Sequence, residues 1–520
     1  MSLLSRLIAY TALITAGAIL TTSIDAATAI PTAKTFYKLP NAAPWQTSEN
    51  LPFLAPSTSN GTIQTAIGIE GFYWHSLAKD KLGSYFGFYD TATAAIYPFI
   101  TVFASNPSGP FPAWSQGTEQ SLFPQDIIHD SAHATAYASP TTGSINPLTG
   151  KIAFAPWIEQ YGFTMINSVL IDNWISIHTI IPWVHTNQVL GLTVSNTNTI
   201  TVESTQVGIA DFFSGAVTQS APASANQQDP LHYGMLRDSQ SAQGAADITL
   251  VFLCKPDVGE DLDFHVGGLM TFPTTSRASG KYLFEPILGT GSHVMFGLHA
   301  RGHITIAQFY GITLSAAASA TGQLGVAAEE IRSPSYLIEG QDAQWGRYAL
   351  AGKLNARRLF PLINLLTQPV TVQPGKTADI TAHLDAAYKR ATLSAEYRFQ
   401  YTGAEKVTPV LAWQAGVYAL STLSYAQTSV SGSTTTYTPF SLTTHSAFGS
   451  GVSLQANNIN YLAATTPSQS THTIAGSFRL IPLARFPYSA LTLRAFYTFT
   501  IPGVFGISGY GFSGTLSHRF

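Results

Sequence analysis

The chain has a single cysteine, few charges and, beyond Leu20, no long apolar run. Each scarcity excludes something. One thiol, Cys254, forbids an internal disulfide or a cysteine metal cluster, unlike the disulfide-dense secreted domains. Charged residues make up 10% of the sequence, against roughly 25% in soluble domains. The net charge of -3 supplies no basic surface for nucleic acid or anionic lipid. Aromatics nevertheless reach 12%, and no later segment approaches the ~20 apolar residues of a spanning helix. The chain is thus apolar without a helix that could cross a bilayer. Strands reconcile the two facts, because alternation of side chains halves the hydropathy of each segment.

Catalytic signatures are also missing. There is no Gly-x-Ser-x-Gly elbow and no Gly-x-x-x-x-Gly-Lys-Ser/Thr phosphate loop. His129 and His133 have the i, i+4 spacing of a zinc helix, but Asp130 stands where that motif needs a glutamate base. The surrounding segment has no helical apolar face, so these read as loop histidines. No catalytic residue, cofactor or metal ligand is assigned.

What is present begins with Met1-Ser-Leu-Leu-Ser-Arg6, an apolar stretch from Leu7 to Leu20, and Ala27-Thr28-Ala29. That is the pattern of a cleaved signal peptide over residues 1–29. Residues 30–60 are rich in Pro, Ala, Ser and Thr and read as irregular. The rest, 61–520, carries strand patterns interrupted by two long loops or insertions, 76–150 and 195–245. The clearest pair is 378–401. There Ala378, Ile380, Ala382, Leu384, Ala386 and Tyr388 share one face, opposite Asp379, Thr381, His383 and Asp385. The partner strand sets Ala391, Leu393, Ala395, Tyr397, Phe399 and Tyr401 against Thr392, Ser394, Glu396, Arg398 and Gln400. Each approximates the ~9–11 residues with which a tilted strand crosses a bilayer, and aromatics gather at the ends. Further candidates include Thr290–Ala300, His303–Ser315, Gly346–Ala356, Val407–Tyr425 and Thr444–Ala456. The count favours 14 strands, with 12 and 16 open.

The C-terminal stretch alternates strictly. Tyr510, Phe512, Gly514, Leu516, His518 and Phe520 lie on one face, and Gly511, Ser513, Thr515, Ser517 and Arg519 on the other. A final strand of this kind ending on Phe resembles the assembly signal of bacterial outer-membrane β-barrels, with Tyr510, Phe512, Leu516 and Phe520 as its elements. A second, thirty-residue stretch is similar to uncharacterised porin-like barrels of intracellular bacteria: Gly267 to Pro273, Lys281 to Pro286, Gly289 to His293. The resemblance implies an all-β, antiparallel up-and-down transmembrane barrel in the outer membrane. It also implies partners: lipid, the barrel assembly machinery through the C-terminal strand, and small solutes, and leaves a homo-oligomer open. The function implied is a porin-like channel for passive diffusion. The alternatives are a hydrophobic-substrate transporter and a surface adhesin or structural barrel.

Alternation alone does not say whether the apolar face meets lipid or a dry core. If it meets lipid, the polar face lines a pore through Asp379, His383, Asp385, Glu396, Arg398, Arg479 and Arg494. The acidic residues cluster on the 378–401 hairpin, and Arg479, Arg494 and Arg519 fall on the last three strands. Two arcs of opposite sign would set a transverse field across the lumen. Direct pairing, for instance of Glu396 with Arg398, is the other reading. Glu285 is either a lumenal charge or the solvation of a connection.

Overall fold

The computed structural model describes residues 34–39, 63–77, 85, 99–100, 150–153, 155–171, 174–195, 200–202, 205–207, 211, 213–215, 230–256, 262–275, 277–338, 341–342, 347, 350–353, 359–420, 426–431, 434–438, 454–481, 489–501 and 505–519. The proposed signal peptide, His129, His133 and Phe520 lie outside them.

Alternating segments pair with their chain neighbours until the sheet closes on itself. The wall consists of β1 (Gln64–Ser76), β2 (Trp157–Ile171), β3 (Ile175–Val189), β4 in two pieces (Ser239–Ala245 and Ile248–Cys254), β5 (Leu262–Phe272) and β6 (Met295–Phe309). It continues with β7 (Ile312–Gly325), β8 (Thr377–Tyr388), β9 (Ala391–Thr402), β10 (Gln469–Leu480), β11 (Ser489–Phe499) and β12 (Gly509–Arg519). Every pair is antiparallel, and β12 closes the barrel on β1, with Glu70 opposite Thr515 and Ile69 opposite Leu516. The two pieces of β4 run along the same partner, β3, so the thirteen assigned strands make a barrel of twelve. The break has a local cause. Pro182 of β3 has no N–H to give the ladder, and opposite it β4 interrupts at Ala246 and Asp247, keeping only the Ala246 N to Pro182 O bond at 2.8 Å.

Twelve strands corrects the favoured count of 14. Gly346–Ala356, Val407–Tyr425 and Thr444–Ala456 contribute no described residue to the wall. The described parts of the first two are short strands in small sheets over one end, Leu350–Lys353 with Tyr418–Leu420 and Lys406–Pro409 with Gln368–Gln373. Only 454–456 of the third is described. A turn was also misplaced at Arg301-Gly302. The backbone turns at Tyr310-Gly311, where φ is +49° and +79°, the geometry of a two-residue hairpin. β6 therefore runs unbroken through Arg301, and β7 follows.

The ends differ. At one, the connections are short: 172–174, 255–261, 310–311, 389–390 and 481–488. At the other they are mostly long: 77–156, 190–238, 273–294, 326–376, 403–468 and 500–508.

At the loop end the connections pack into a cap. Its small sheets enclose Tyr336, Ala351, Leu362, Leu366, Leu454 and Ile459 in one apolar cluster and Val370, Val372 and Val407 in another. A closed wall leaves no unpaired strand edge for water or detergent to attack. The folded protein is accordingly expected to migrate differently on a gel before and after boiling. Co-migration of the two samples would contradict the barrel.

Candidate functional site: the barrel wall and its stopper

The period-two alternation becomes inside and outside. Every wall strand puts at least one large apolar side chain outward, among them Ile69, Met165, Leu298, Leu393, Leu493 and Leu516. Leu298 is 69% exposed and Leu393 64%. Soluble monomers confine exposed apolar surface to patches of roughly 300–600 Å²; a belt contributed by all twelve strands is a different kind of surface. Aromatics edge it. Tyr397, Tyr497, Tyr510, Tyr73 and Tyr161 lie toward the loop end, with Tyr73 stacked on Phe512 at 5.3 Å. Trp174, Phe309, Tyr310 and Tyr388 lie toward the turns. The apolar face, undecided by alternation, therefore faces outward. Tyr510, Phe512 and Leu516 are in this belt.

The inner face is mixed and unevenly charged, with Phe72, Trp74, Ile158, Ile166, Leu170, Val184 and a Val251–Leu253–Leu269 cluster standing among its polar groups. On β12, β1, β2 and β3 it carries mainly hydroxyls and amides, including Ser513, Thr515, Thr164, Gln160, Ser168 and Thr186, with Glu70 among them. On β5 to β11 it carries ion pairs. Arg398 Nε donates to both oxygens of Asp379 at 2.9 and 3.0 Å, and Gln400 Nε2 joins at 3.3 Å. Arg494 Nη2 reaches Glu396 Oε1 at 2.5 Å. Asp263 lies 2.7 Å from Lys255 and 3.1 Å from His265. The expected arcs of opposite sign are thus replaced by mixed pairs on one side of the wall. The reason is adjacency: β9 pairs directly with β10, with no 407–456 pair between them, so only β10 separates Glu396 on β9 from Arg494 on β11. Arg398 pairs with Asp379, its neighbour across the hairpin.

The other candidates grade along the wall. His383 stands beside Glu396 in register, and Asp385 opposite Ser394. Arg398 and Arg494 are buried, whereas Asp385 and His383 are half-buried and Arg479 is exposed nearer the turns. The lumen is a bonded network at mid-height and loosens toward the turn end. His299 and Arg301, on the inner face of β6, were missed because the turn placed at Arg301-Gly302 cut their strand in two. The alternation of His299, Arg301, His303 and Thr305 against Leu298, Ala300, Gly302 and Ile304 was the available signal. Glu285 accepts from the backbone N–H groups of Ser279 and Gly280 at 3.0 and 3.1 Å, so it solvates a connection.

The loop end is closed by a segment from the region read as irregular. Lys34–Leu39 has no regular structure, yet nearly all of it is buried. It touches connections from around the rim. Lys34 N donates to Tyr85 O, and Thr35 N to Ala463 O, both at 2.9 Å. Phe36 packs with Ala278 and Ile287, and Tyr37 meets the rings of Tyr85, Phe284 and Phe505. Gln469 Nε2, at the start of β10, reaches Lys38 O at 3.4 Å. A segment held by five of the six loop-end connections lies across the mouth.

Buried charges fix this stopper. Lys38 Nζ is 3.2 Å from Glu405, whose other oxygen is 3.5 Å from Arg332. Arg332 also binds Glu330 at 2.6 Å, and Glu330 meets His293 at 2.9 Å. The Arg332 guanidinium lies over the Phe36 ring. Burial pushes the Glu405 carboxyl up, but Lys38 and Arg332 outweigh it and hold it at about 2. Glu330 is lowered in the same way, with Arg332 prevailing over burial.

No family model matches the chain, and no curated protein matches it. Among solved structures it is similar to an outer membrane channel from Pseudomonas putida F1, at 6% identity over 90% of this chain and 100% of that one, with a TM-score of 0.35. It is similar also to the Pseudomonas putida toluene transporter TodX, at 10% identity over 95% and 97% of the two chains, TM-score 0.30. The NanC porin matches at 6% identity over 69% and 94%, TM-score 0.26.

Proposed function

We propose that the protein is an outer-membrane channel that passes small polar solutes by diffusion, with its loop-end mouth closed by Lys34–Leu39. The observation that carries this reading is the two-faced wall, apolar all round outside, and inside largely polar with ion pairs beside a smaller apolar share. The outer face suits lipid, and the inner face suits water and polar solutes. Eight strands give a barrel that its own side chains fill, and 16–18 leave an aqueous channel. Twelve fall between, with room for a narrow path. Solutes would exchange hydrogen bonds with the Asp379–Arg398 and Glu396–Arg494 pairs, each already neutralised, so that no strong trap lies on the way. A charged inner wall disfavours a hydrophobic cargo, which would have to strip water from these groups. The reading includes export through residues 1–29 and insertion through β12.

Planar-bilayer recording tests it. The full chain is expected to give ohmic steps in KCl that are brief while the stopper is seated. Glu405→Gln should lengthen them by loosening Lys38. Silence from both proteins, each shown to be folded by its heat-dependent migration, would remove the channel and favour a structural or adhesive barrel.

A further inference from the structure

The outer belt ends at Tyr388 on β8, and the two residues that turn the chain there are Lys389 and Arg390, both exposed. Lys389 Nζ lies over the Tyr388 ring, 5.0 Å from its centroid. Tyr388 points outward, so the ammonium is on the outer side of the wall and not in the lumen. A strand rises ~3.4 Å per residue, so a residue or two past an interfacial tyrosine is the depth of lipid headgroups. Neither cation forms an ion pair among the described residues. The nearest acid in sequence, Asp385, faces the lumen.

The connections beside this turn share its sign. Ile481 N donates to Arg390 O at 2.9 Å, which sets the start of connection 481–488 next to it. In sequence that connection adds Arg485 and no acid, and the 310–311 turn is Tyr-Gly. The acids of the five short connections, Asp172, Asp257, Glu260 and Asp261, belong to 172–174 and 255–261, which join other strands. Positive charge is thus confined to one arc of the turn-end rim. Toward mid-membrane from it the outer wall presents Leu393 and Phe478, both exposed. The backbone adds a separate observation. Lys389 has φ +53°, a left-handed conformation that glycine or asparagine adopts at less cost. A long cationic side chain there runs against local preference, and such outliers point to function.

We propose that Lys389 and Arg390 bind the headgroup phosphate of an anionic phospholipid in the leaflet at the turn end, whose acyl chains lie on Leu393 and Phe478. Arg390 takes two phosphate oxygens side by side, and Lys389 acts as a point charge steadied over Tyr388. The site rests on the lipid-facing belt and is independent of whether the lumen conducts.

Reversible urea unfolding of the full chain from vesicles tests it, in phosphatidylcholine alone and with phosphatidylglycerol added. Phosphatidylglycerol should raise the folded-to-unfolded ratio of the parent about fivefold for each of the two cations. The gain should vanish in about 1 M KCl, where screening is nearly complete. Lys389→Asn combined with Arg390→Gln should show no gain. Asparagine suits the left-handed turn, so this variant should be no less stable than the parent in phosphatidylcholine alone. Lys281→Gln is the control, because Lys281 also lies over a tyrosine, 5.5 Å from the Tyr282 ring, but in the 273–294 connection at the loop end. It should keep the full gain. No gain in the parent, an equal gain in the double variant, or an equal loss of stability by that variant in both vesicles refutes the site. Heat-dependent migration shows whether each protein has inserted. A parent that inserts into neither vesicle overturns the lipid-facing belt and the site with it, whereas a lipid gain confined to the two cations upholds the site even if bilayer recording is silent.

Discussion

Glu405→Leu is expected to release the stopper at a cost of about 3–5 kcal/mol, the range for breaking a buried ion pair by removing one partner. The carboxylate lies between Lys38 and Arg332 and accepts the Thr466 N–H at 2.9 Å. Leucine fills much of the same volume but leaves two buried cations to share Glu330 and strands the Thr466 donor. A buried ammonium without a counterion is the larger of these penalties. Lys38 also donates to Thr290 O at 3.1 Å, a neutral contact that does not replace the charge. Barrel hydrogen bonds are untouched, so the wall should stay closed while Lys34–Leu39 comes loose. Trypsin added to the folded protein in micelles is the check. Cleavage after Lys34 and Lys38 should be fast in Glu405→Leu and slow in the parent, and equal rates would remove Glu405 from the stopper.

The same group sets a pH window. Glu405 sits at about 2 in the folded protein against an ordinary 4.5. A depressed carboxyl contributes stability that is complete above its unfolded value and lost as pH falls through its folded one. Protection of the two lysines should hold at neutral pH and fade between about 4.5 and 2. Glu330, also lowered, adds to the same loss. Glu405→Gln keeps the Thr466 bond but cannot titrate, so its protection should be weaker at neutral pH and depend less on acid. In acid the same loosening is followed with pepsin, which cuts beside Phe36, Tyr37 and Leu39 of this segment rather than at its lysines.

How far the sequence could be read depended on contrast. The hairpin expected at 378–401 occurs as Thr377–Tyr388 and Ala391–Thr402, because leucine, tyrosine and isoleucine alternate there with charges. β7 has the same geometry, but its outward positions hold Ala316, Ala318 and Ala320 opposite serines and threonines, a pattern with almost no amplitude. Its neighbour β6 was cut because Arg301-Gly302 has turn chemistry, and a glycine within a strand is silent about its role. The cap erred in the other direction. Val370, Val372 and Val407 are as apolar and β-branched as wall residues, and only tertiary packing separates a strand over the barrel mouth from one in its wall. For the site, the identity of the lumenal charges was legible in the alternation, while their partners were not. The Glu396–Arg494 pair needed the β9–β10–β11 adjacency, and that depended on the strand count. The stopper had no signal of its own, since six irregular residues are held by groups far along the chain.

Ala395→Arg should destabilise the membrane-inserted barrel by about 2–4 kcal/mol, the cost of a charge on the lipid face near the midplane. Ala395 is an exposed outward residue of β9, flanked in register by Leu384 of β8 and Gly476 of β10. No carboxylate shares that outer face beside it, and the arginine must either snorkel past several residues or thin the bilayer. Ser394→Arg, one residue away, points inward. It stands opposite Asp385 and Ser477, is half-buried, and lies toward the turns, where the inner residues are less buried. The new guanidinium can pair with Asp385 there, so the change should stay within about 1 kcal/mol, the usual worth of an accessible ion pair. Thr381→Arg is not an equivalent inward control, because Thr381 is buried beside Arg398 and an added cation would have no room. Reversible urea unfolding from lipid vesicles gives the comparison. If Ala395→Arg and Ser394→Arg lose the same stability, or Ser394→Arg loses more, the outer face of β9 is not in contact with lipid. That outcome would also overturn the two-faced wall on which the channel reading rests.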